Sequence, residues 1–353
     1  MFNPNQRAEN LRKKLIRNKK YLLAKIGGAK QDPEERKVLA DFFRYKDYID
    51  DPEWVIKANE KEKWSDKFLG LDKDGFKKTE FQNPTYSAAF NLKRNLSEFT
   101  KVFTIQVAGC NYSCNYCFVP RKLNSADESY GRFFSAREIT EEFLKIKKNS
   151  ETPMNVIRIS GGECFIIPEI VINLYDQMMK SSADSYLWID TNLSAIEIIK
   201  KDQSKLEKVF SQKNVGIVGC FKGTTEEDFS LITGADGKFY KDQFETAKNL
   251  IDLGADLYGY VAAYVYNENE AENKLNGFIS ELQKIGHNFP LRLEMLKVED
   301  FPAAKINFEL AKKEGRAIPE TPQAIVFDLW YNKILPKHYS AKELKKFCCE
   351  ISL

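Results

Sequence analysis

The sequence predicts an α/β fold: a partial (β/α)6 TIM-like barrel with a helical N-terminal extension and a helical C-terminal segment. Three observations carry this. Six short β-rich runs recur from residue 101 onward, helix-patterned stretches separate them, and the chemically unusual residues follow the ends of the first four runs. Alternation of this kind means βαβ units and a parallel sheet. Right-handed crossovers place consecutive strands side by side, and six repeats leave the barrel open rather than closed at eight.

The elements are expected in this order. Leu11, Leu15, Ile16, Leu22 and Leu23 recur at near-helical spacing, which predicts a basic amphipathic helix over Asn5–Ile26, stopped by Gly27-Gly28. A second helix is expected after Asp32-Pro33, with proline in its first turn. Residues 1–100 read as the helical extension, 101–300 as the barrel and 301–353 as the helical C-terminal segment. The barrel strands are expected at Val102–Val107, Val156–Ser160, Tyr186–Asp190, Val215–Cys220, Tyr258–Val265 and Leu291–Leu296. The helices between them are expected at Ala136–Lys147, Pro168–Lys180, Ile196–Val209, Glu226–Leu231 with Lys241–Leu253, and Glu270–Ile285. From Pro302 on, two or three helices are expected, separated by Pro319 and Pro322.

Composition narrows the class. Of 353 residues, 43% are hydrophobic and 30% charged, which fits a globular chain and excludes a wholly disordered or collagen-like one. A net charge of +3 names no polyanionic partner by itself. The charge is uneven, with nine basic residues and one acid in Met1–Lys30. That basic helix is a candidate contact for RNA phosphates, or else a solvated face. Two histidines leave little room for mechanisms built on several of them. No apolar leader core is visible near the start. The uncharged run Val102–Pro120 holds three Cys, two Asn, a Gln, a Gly and a Pro, which lipid disfavours. The expectation is a cytoplasmic protein with no membrane contact.

Seven cysteines cannot all pair within one chain, and Cys110, Cys114 and Cys117 crowd into eight residues. Such clustering in a cytosolic chain points to metal or redox chemistry. Thiolates ligate iron–sulfur clusters, and three of them on a C-x3-C-x2-C loop satisfy three irons of a four-iron cluster and leave one open. A structural zinc would need a fourth ligand from elsewhere. A zinc or iron–sulfur protein without catalysis, or an electron carrier, stays open as the other class of reading. In parallel α/β folds function gathers beyond the carboxyl ends of the strands. The thiol loop follows the first strand, Gly161-Gly162-Glu163 the second, Asp190-Thr191-Asn192 the third and Cys220-Phe221-Lys222 the fourth.

The thiol loop, with Tyr116 just before its last cysteine, resembles the signature of the radical S-adenosylmethionine (SAM) superfamily. The resemblance covers about Val102–Glu299. It implies a [4Fe–4S] cluster on Cys110, Cys114 and Cys117 whose open iron is chelated by SAM. It also implies reductive SAM cleavage to a 5′-deoxyadenosyl radical that abstracts hydrogen from a substrate. Gly161, Gly162 and Glu163 look like the family's site for the SAM amino group. Asp190, Thr191 and Asn192 are similar to its ribose and carboxylate segment, and Tyr116 would lie near adenine. Within the superfamily the likeness runs toward glycyl-radical-enzyme activases, whose fourth strand ends in Asp-x-Lys. Here Lys222 matches and could pair with the SAM carboxylate, while Cys220 replaces the aspartate. Cys220 is a candidate to react with the substrate, and Tyr264, Arg292 and Glu294 are candidate substrate contacts. A low-potential donor such as flavodoxin or ferredoxin is the implied reductant. The substrate is unidentified, with a peptide, partner protein, nucleotide or RNA in view.

Overall fold

Helix α1 (Pro4–Leu15) opens the chain, capped by Asn3, whose side chain accepts from the backbone of Asn5 (2.9 Å) and Gln6 (3.2 Å). The computed structural model describes residues 1–24, 42–47, 84–99, 101–264, 268–296, 298, 302–316, 323–344 and 346–353. The expected helix over Asn5–Ile26 is corrected beyond Leu15. There the chain turns through Asn18 and Lys19, both left-handed (φ 51° and 59°), and makes a hairpin of β1 (Ile16–Arg17) and β2 (Lys20–Ala24). Two left-handed residues in a two-residue turn match the natural twist of a hairpin. Tyr21, Leu22, Leu23 and Ala24 are all fully buried, a run covered on both faces. A short apolar run of that kind carries no period that separates strand from helix. A further strand, β3 (Phe43–Asp47), lies in the stretch expected to be helical. The Gly27-Gly28 stop and the helix after Asp32-Pro33 lie outside the described residues.

The rest of the chain follows the alternation. Helix α2 (Pro84–Leu92) and the 3-10 turn Leu96–Phe99 lead into β4 (Lys101–Val107). After the thiol loop comes β5 (Gly131–Ser135), a strand the sequence reading lacks, and then α3 (Ala136–Asn149). Then follow β6 (Val156–Gly161), α4 (Glu169–Ser181), β7 (Tyr186–Thr191), α5 (Ile196–Lys201) and α6 (Gln203–Phe210). Next are β8 (Val215–Lys222), α7 (Glu226–Thr233), α8 (Asp242–Asp252), β9 (Leu257–Ala262), α9 (Ala271–Ile285) and the short β10 (Leu293–Met295). Helices α10 (Pro302–Lys313) and α11 (Gln323–Asp328) follow, the second continuing through a wider turn at Leu329–Ile334.

Strands β4-β6-β7-β8-β9-β10 run parallel in that order, as a six-repeat partial barrel requires. The outer edge of β4 is closed by β3 along its length and by β2 at its end, both antiparallel. Covering that edge removes a row of unpaired backbone groups. Register then sorts the side chains. Phe103, Ile157 and Leu187 are cross-strand neighbours and pack outward under the helices with Phe143, Leu174 and Leu250. Val102, Val156 and Tyr186 are the next row and point into the barrel. With Trp188, Val218, Tyr258, Ala88 and Phe99 they form an apolar plug at the amino-terminal mouth. The opposite mouth, at the carboxyl ends of the strands, is where the unusual residues stand. Among the described residues no helix is long and apolar enough to cross a membrane.

Arg292 belongs to the plugged end. It lies in a 3-10 turn just before β10, donates to Asp256 (2.7 Å), Leu257 O (3.0 Å) and Ile351 O (2.8 Å), and stacks on Tyr258 at 4.7 Å. It ties the C-terminal tail to the floor of the barrel, away from the thiol loop. Arg292→Met is expected to lower stability by about 3 kcal/mol in denaturant unfolding, because it removes the ion-pair partner of Asp256 at a buried face and the tie to the tail at Ile351 O. Cofactor uptake by the folded variant should not change.

Candidate active site

The thiol loop is held by its backbone. Gly109 N donates to Leu123 O (2.9 Å) and Cys110 N to Asn124 O (2.8 Å). Ser113 N and Asn115 N donate to Thr233 O and Ile232 O at the end of α7, both at 2.9 Å. Asn307 of α10 donates to Cys117 O (2.8 Å), and Arg316 to Ser113 O (3.0 Å). Helix α1 lies over the loop, with Arg7 donating to Ser113 Oγ (2.7 Å) and Asn111 donating to Pro4 O (3.3 Å). Basic side chains of α1 and of the hairpin after it pair with acids of the same chain. Arg12 pairs with Glu169, Arg17 with Glu128 (2.7 Å) and Lys20 with Glu138 (2.8 Å).

The three sulfurs sit close enough to repel one another as thiolates. Burial, then the neighbouring Cys117, lifts Cys110 to about 11, and burial likewise raises Cys114 and Cys117. Left alone these are thiols, and a metal charge is what converts such a group to thiolate. N–H groups already face the sulfurs. Val119 N (3.4 Å) and Asn124 Nδ2 (3.6 Å) donate to Cys117, and Asn192 Nδ2 (3.4 Å) donates to Cys110. Among the described residues no three His, Cys, Asp or Glu side chains converge as one metal ion needs. A four-iron cluster asks for something else, since each thiolate takes a different iron. The donor set fits that group.

Gly161 and Gly162 have a structural duty. Gly161 has φ +99°, and a Cβ there would run into the Gln106 side chain. A Cβ on Gly162 would run into the Gly109 carbonyl. The turn after β6 therefore lies directly on the exit of β4, fixed by Gly162 N to Val107 O (2.8 Å) and Glu163 N to Gly109 O (2.9 Å). The Glu163 carboxylate turns inward. It accepts from Phe165 N (3.0 Å), Thr191 Oγ1 (2.9 Å) and Asn192 N (2.5 Å), and burial lifts it to about 7 despite those donors. It joins the turns after β6 and β7.

Asp190 faces the barrel interior and forms a two-pronged ion pair with Arg158 (Nη2–Oδ2 2.7 Å). Across β8, β9 and β10 the next interior row is Cys220, Tyr260 and Glu294. The Tyr116 hydroxyl meets Cys220 Sγ at 3.6 Å, and its ring lies 5.9 Å from that of Tyr264. Lys222 is buried with its ammonium 5.4 Å from the Tyr116 ring. Burial opposes its charge, but Cys220 and Cys114, when they carry thiolate charge, outweigh that and raise its pKa. Cys110, Cys114, Cys117, Tyr116, Gly161, Gly162, Glu163, Asp190, Thr191, Asn192, Cys220, Lys222, Tyr264 and Glu294 thus gather at or just below the open mouth, and Arg292 does not. Cys164 is buried against Asp190 O (3.4 Å). Cys348 and Cys349 pack on the plug. Sequence reading missed Asn111, Asn124 and Arg158. Period-two alternation back from Ser160 would have put Arg158 on the interior face.

A parallel six-stranded partial barrel with a three-thiol loop after its first strand defines an enzyme of cofactor-borne chemistry. Residues 105–276 match the Radical SAM superfamily, the family that the thiol loop resembles. The match supports a radical SAM enzyme, and enzymes of that superfamily use a [4Fe–4S] cluster and SAM. A pyruvate formate-lyase-activating enzyme of Clostridium pasteurianum is 20% identical over 207 residues, 59% of this chain and 81% of the relative. Among solved structures, a spore photoproduct lyase complexed with dinucleoside spore photoproduct aligns with TM-score 0.44 and 13% identity, over 60% of this chain and 61% of the other. Streptococcus suis SuiB, bound to its precursor peptide SuiA, aligns with TM-score 0.36 and 13% identity, over 66% and 64%. This chain therefore spans under two thirds of the solved structures it matches.

Proposed function

We propose that Cys110, Cys114 and Cys117 hold the cluster, that SAM binds between them and Lys222, and that a substrate is held in the barrel interior. One observation carries this: three thiols on one loop, with N–H donors to two of their sulfurs and a buried ammonium nearby, at the carboxyl end of a parallel barrel. When bound, the cluster and SAM supply an electron and the 5′-deoxyadenosyl radical that takes a hydrogen atom from the substrate. The chain supplies position. Lys222 offers a fixed positive charge to the SAM carboxylate. The turn carrying Gly161 and Gly162 brings backbone close to the ligand, while Glu163 locks that turn to Asn192. Tyr116 presents its ring face toward adenine. Arg158 and Asp190 give the interior a paired charge that a polar substrate group can meet. Tyr264 and Glu294 complete that wall, and Cys220 is placed to exchange a hydrogen atom with the substrate. In this reading residues 101–300 form the catalytic unit, flanked by 1–100 and 301–353, and a low-potential donor of the flavodoxin or ferredoxin kind reduces it.

The test is anaerobic. Protein reconstituted with iron and sulfide, reduced with dithionite and given SAM should release 5′-deoxyadenosine, read by chromatography. Lys222→Met is expected to weaken SAM binding about tenfold or more, since a hydrogen-bonded charge contributes roughly 1.5–3 kcal/mol. Equilibrium dialysis reads the loss, and 5′-deoxyadenosine formation should recover at saturating SAM. A second reading has support in the likeness to the Clostridium pasteurianum activase, that of an activase acting on a partner enzyme. It predicts a glycyl radical signal on that partner after incubation, whereas a stand-alone modifying enzyme leaves none.

A further inference from the structure

One side chain beside the thiol loop is held more tightly than a ligand contact requires. Asn192 follows β7 and is fixed at three points. Its backbone N–H donates to Glu163 (2.5 Å), its Oδ1 accepts from Ser194 Oγ, and its Nδ2 donates to Asn111 Oδ1 (3.1 Å). The same Nδ2 lies 3.4 Å from Cys110 Sγ. Ser194 Oγ also lies 2.9 Å from Asn111 Oδ1 and shares its one hydroxyl hydrogen between the two amide oxygens. This network fixes the amide orientation. Rotated by half a turn, the amide would set its oxygen against both the Asn111 oxygen and the Cys110 sulfur, two acceptors with nothing to share. The following residue, Leu193, is left-handed (φ 60°), and its N–H donates to Thr191 Oγ1 (3.1 Å), so the backbone under the amide is fixed as well.

We propose that Asn192 is a positioning residue for the Cys110 thiolate and raises the reduction potential of the cluster through its Nδ2–H···Sγ hydrogen bond. The inference rests on the cluster reading above. Reduction adds one electron, and the cluster's thiolate sulfurs carry part of the added negative charge. A donor aimed at such a sulfur stabilises the reduced form more than the oxidised one, and hydrogen bonds to sulfur are one of the levers that set these potentials. This role is separate from any contact of Asn192 with SAM, because it operates when SAM is absent.

The full-length protein, reconstituted and free of SAM, is titrated with dithionite through redox mediators, with the reduced fraction read by electron paramagnetic resonance. Asn192→Leu is expected to keep wild-type iron and sulfide content. At the wild-type midpoint its reduced-to-oxidised ratio should fall about tenfold, which is about 59 mV for one electron. Asn192→Asp, nearly isosteric but an acceptor, should fall further. Ser194→Ala removes one tether but leaves the Asn192 bonds to Glu163, Asn111 and Cys110 in place, and should keep the wild-type midpoint. An exchangeable proton coupled to the reduced cluster should vanish in Asn192→Asp. If Asn192→Leu does not load iron, the aspartate variant decides by the same two readouts. Full clusters with an unmoved midpoint in the Asn192 variants overturn this inference alone. A wild-type protein that takes up no four-iron cluster overturns the cluster reading, and this inference with it.

Discussion

Protein carrying alanine at positions 110, 114 and 117 is expected to take up no four-iron cluster and to make no 5′-deoxyadenosine from SAM and dithionite, while remaining folded. The two halves of that result have separate causes. The loop is fixed by backbone bonds to Asn124, Thr233 and Ile232 and by the side chains of Asn307 and Arg316, none of which involves a thiol. Truncating each thiol to a methyl removes one buried atom, a loss on the order of 1 kcal/mol per site, and leaves the strands around it paired. Thermal unfolding of the metal-free variant should therefore stay near that of the metal-free wild type. Activity has no such reserve, because the remaining cysteines are placed elsewhere: Cys164 against Asp190, Cys348 and Cys349 on the floor of the barrel. Cys220 is nearer, at 3.6 Å from the Tyr116 hydroxyl, but stands on the strand rather than the loop. Iron and sulfide analysis with acid-labile sulfide as the marker also separates the readings. Four irons retained by the triple variant would place the cluster on other ligands. Zinc without sulfide in the wild type would mean a structural metal instead.

Much of this site was legible from the chain because its spacing is local. Three thiols within eight residues, and polar segments at the ends of β-rich runs, need no tertiary knowledge to be seen. The parallel core was legible for a similar reason, since its strands are apolar runs separated by long amphipathic helices. What escaped detection depends on partners distant in sequence. Lys20–Ala24 is a strand only because β5 and β4 lie on either side of it, and β5 is itself too short and too mixed to stand out. Glu163 was expected to face a ligand ammonium. Its carboxylate also accepts from Thr191 and Asn192, almost thirty residues on, and from Phe165 N, partners that spacing does not show. Arg292 and Glu294 were placed on one face by assuming a strand from residue 291. The chain instead passes Arg292 in a 3-10 turn and enters β10 only at Leu293, so the two residues stand at different depths of the barrel. Arg292 goes to the floor and Glu294 to the interior row beside Tyr260.

The glycine pair supplies the second large effect. Gly162→Ala is expected to lower stability by about 3 kcal/mol and to reduce cluster loading with it, against a gain of about 1 kcal/mol for Gly277→Ala. The contrast separates backbone freedom from space. Gly277 is exposed inside α9, where an added Cβ meets nothing within 4 Å, and alanine there restricts the unfolded chain without a clash. A Cβ at Gly162 overlaps the Gly109 carbonyl oxygen and comes within 2.7 Å of its carbon and 2.9 Å of Val107 O. All three are main-chain atoms, so no side chain can swing aside to make room. The strain must move either the turn after β6 or the exit of β4, and that exit is the first residue pair of the thiol loop. Moving it breaks the Glu163 N to Gly109 O bond and shifts Cys110, whose own N–H is held by Asn124 O at 2.8 Å. Denaturant unfolding of the metal-free proteins measures the first effect, and iron per folded chain after reconstitution measures the second. A Gly162→Ala protein as stable as wild type, with full iron, would show that the two loops are not pressed together as described, and with that the reason for glycine at this position would be the ligand alone.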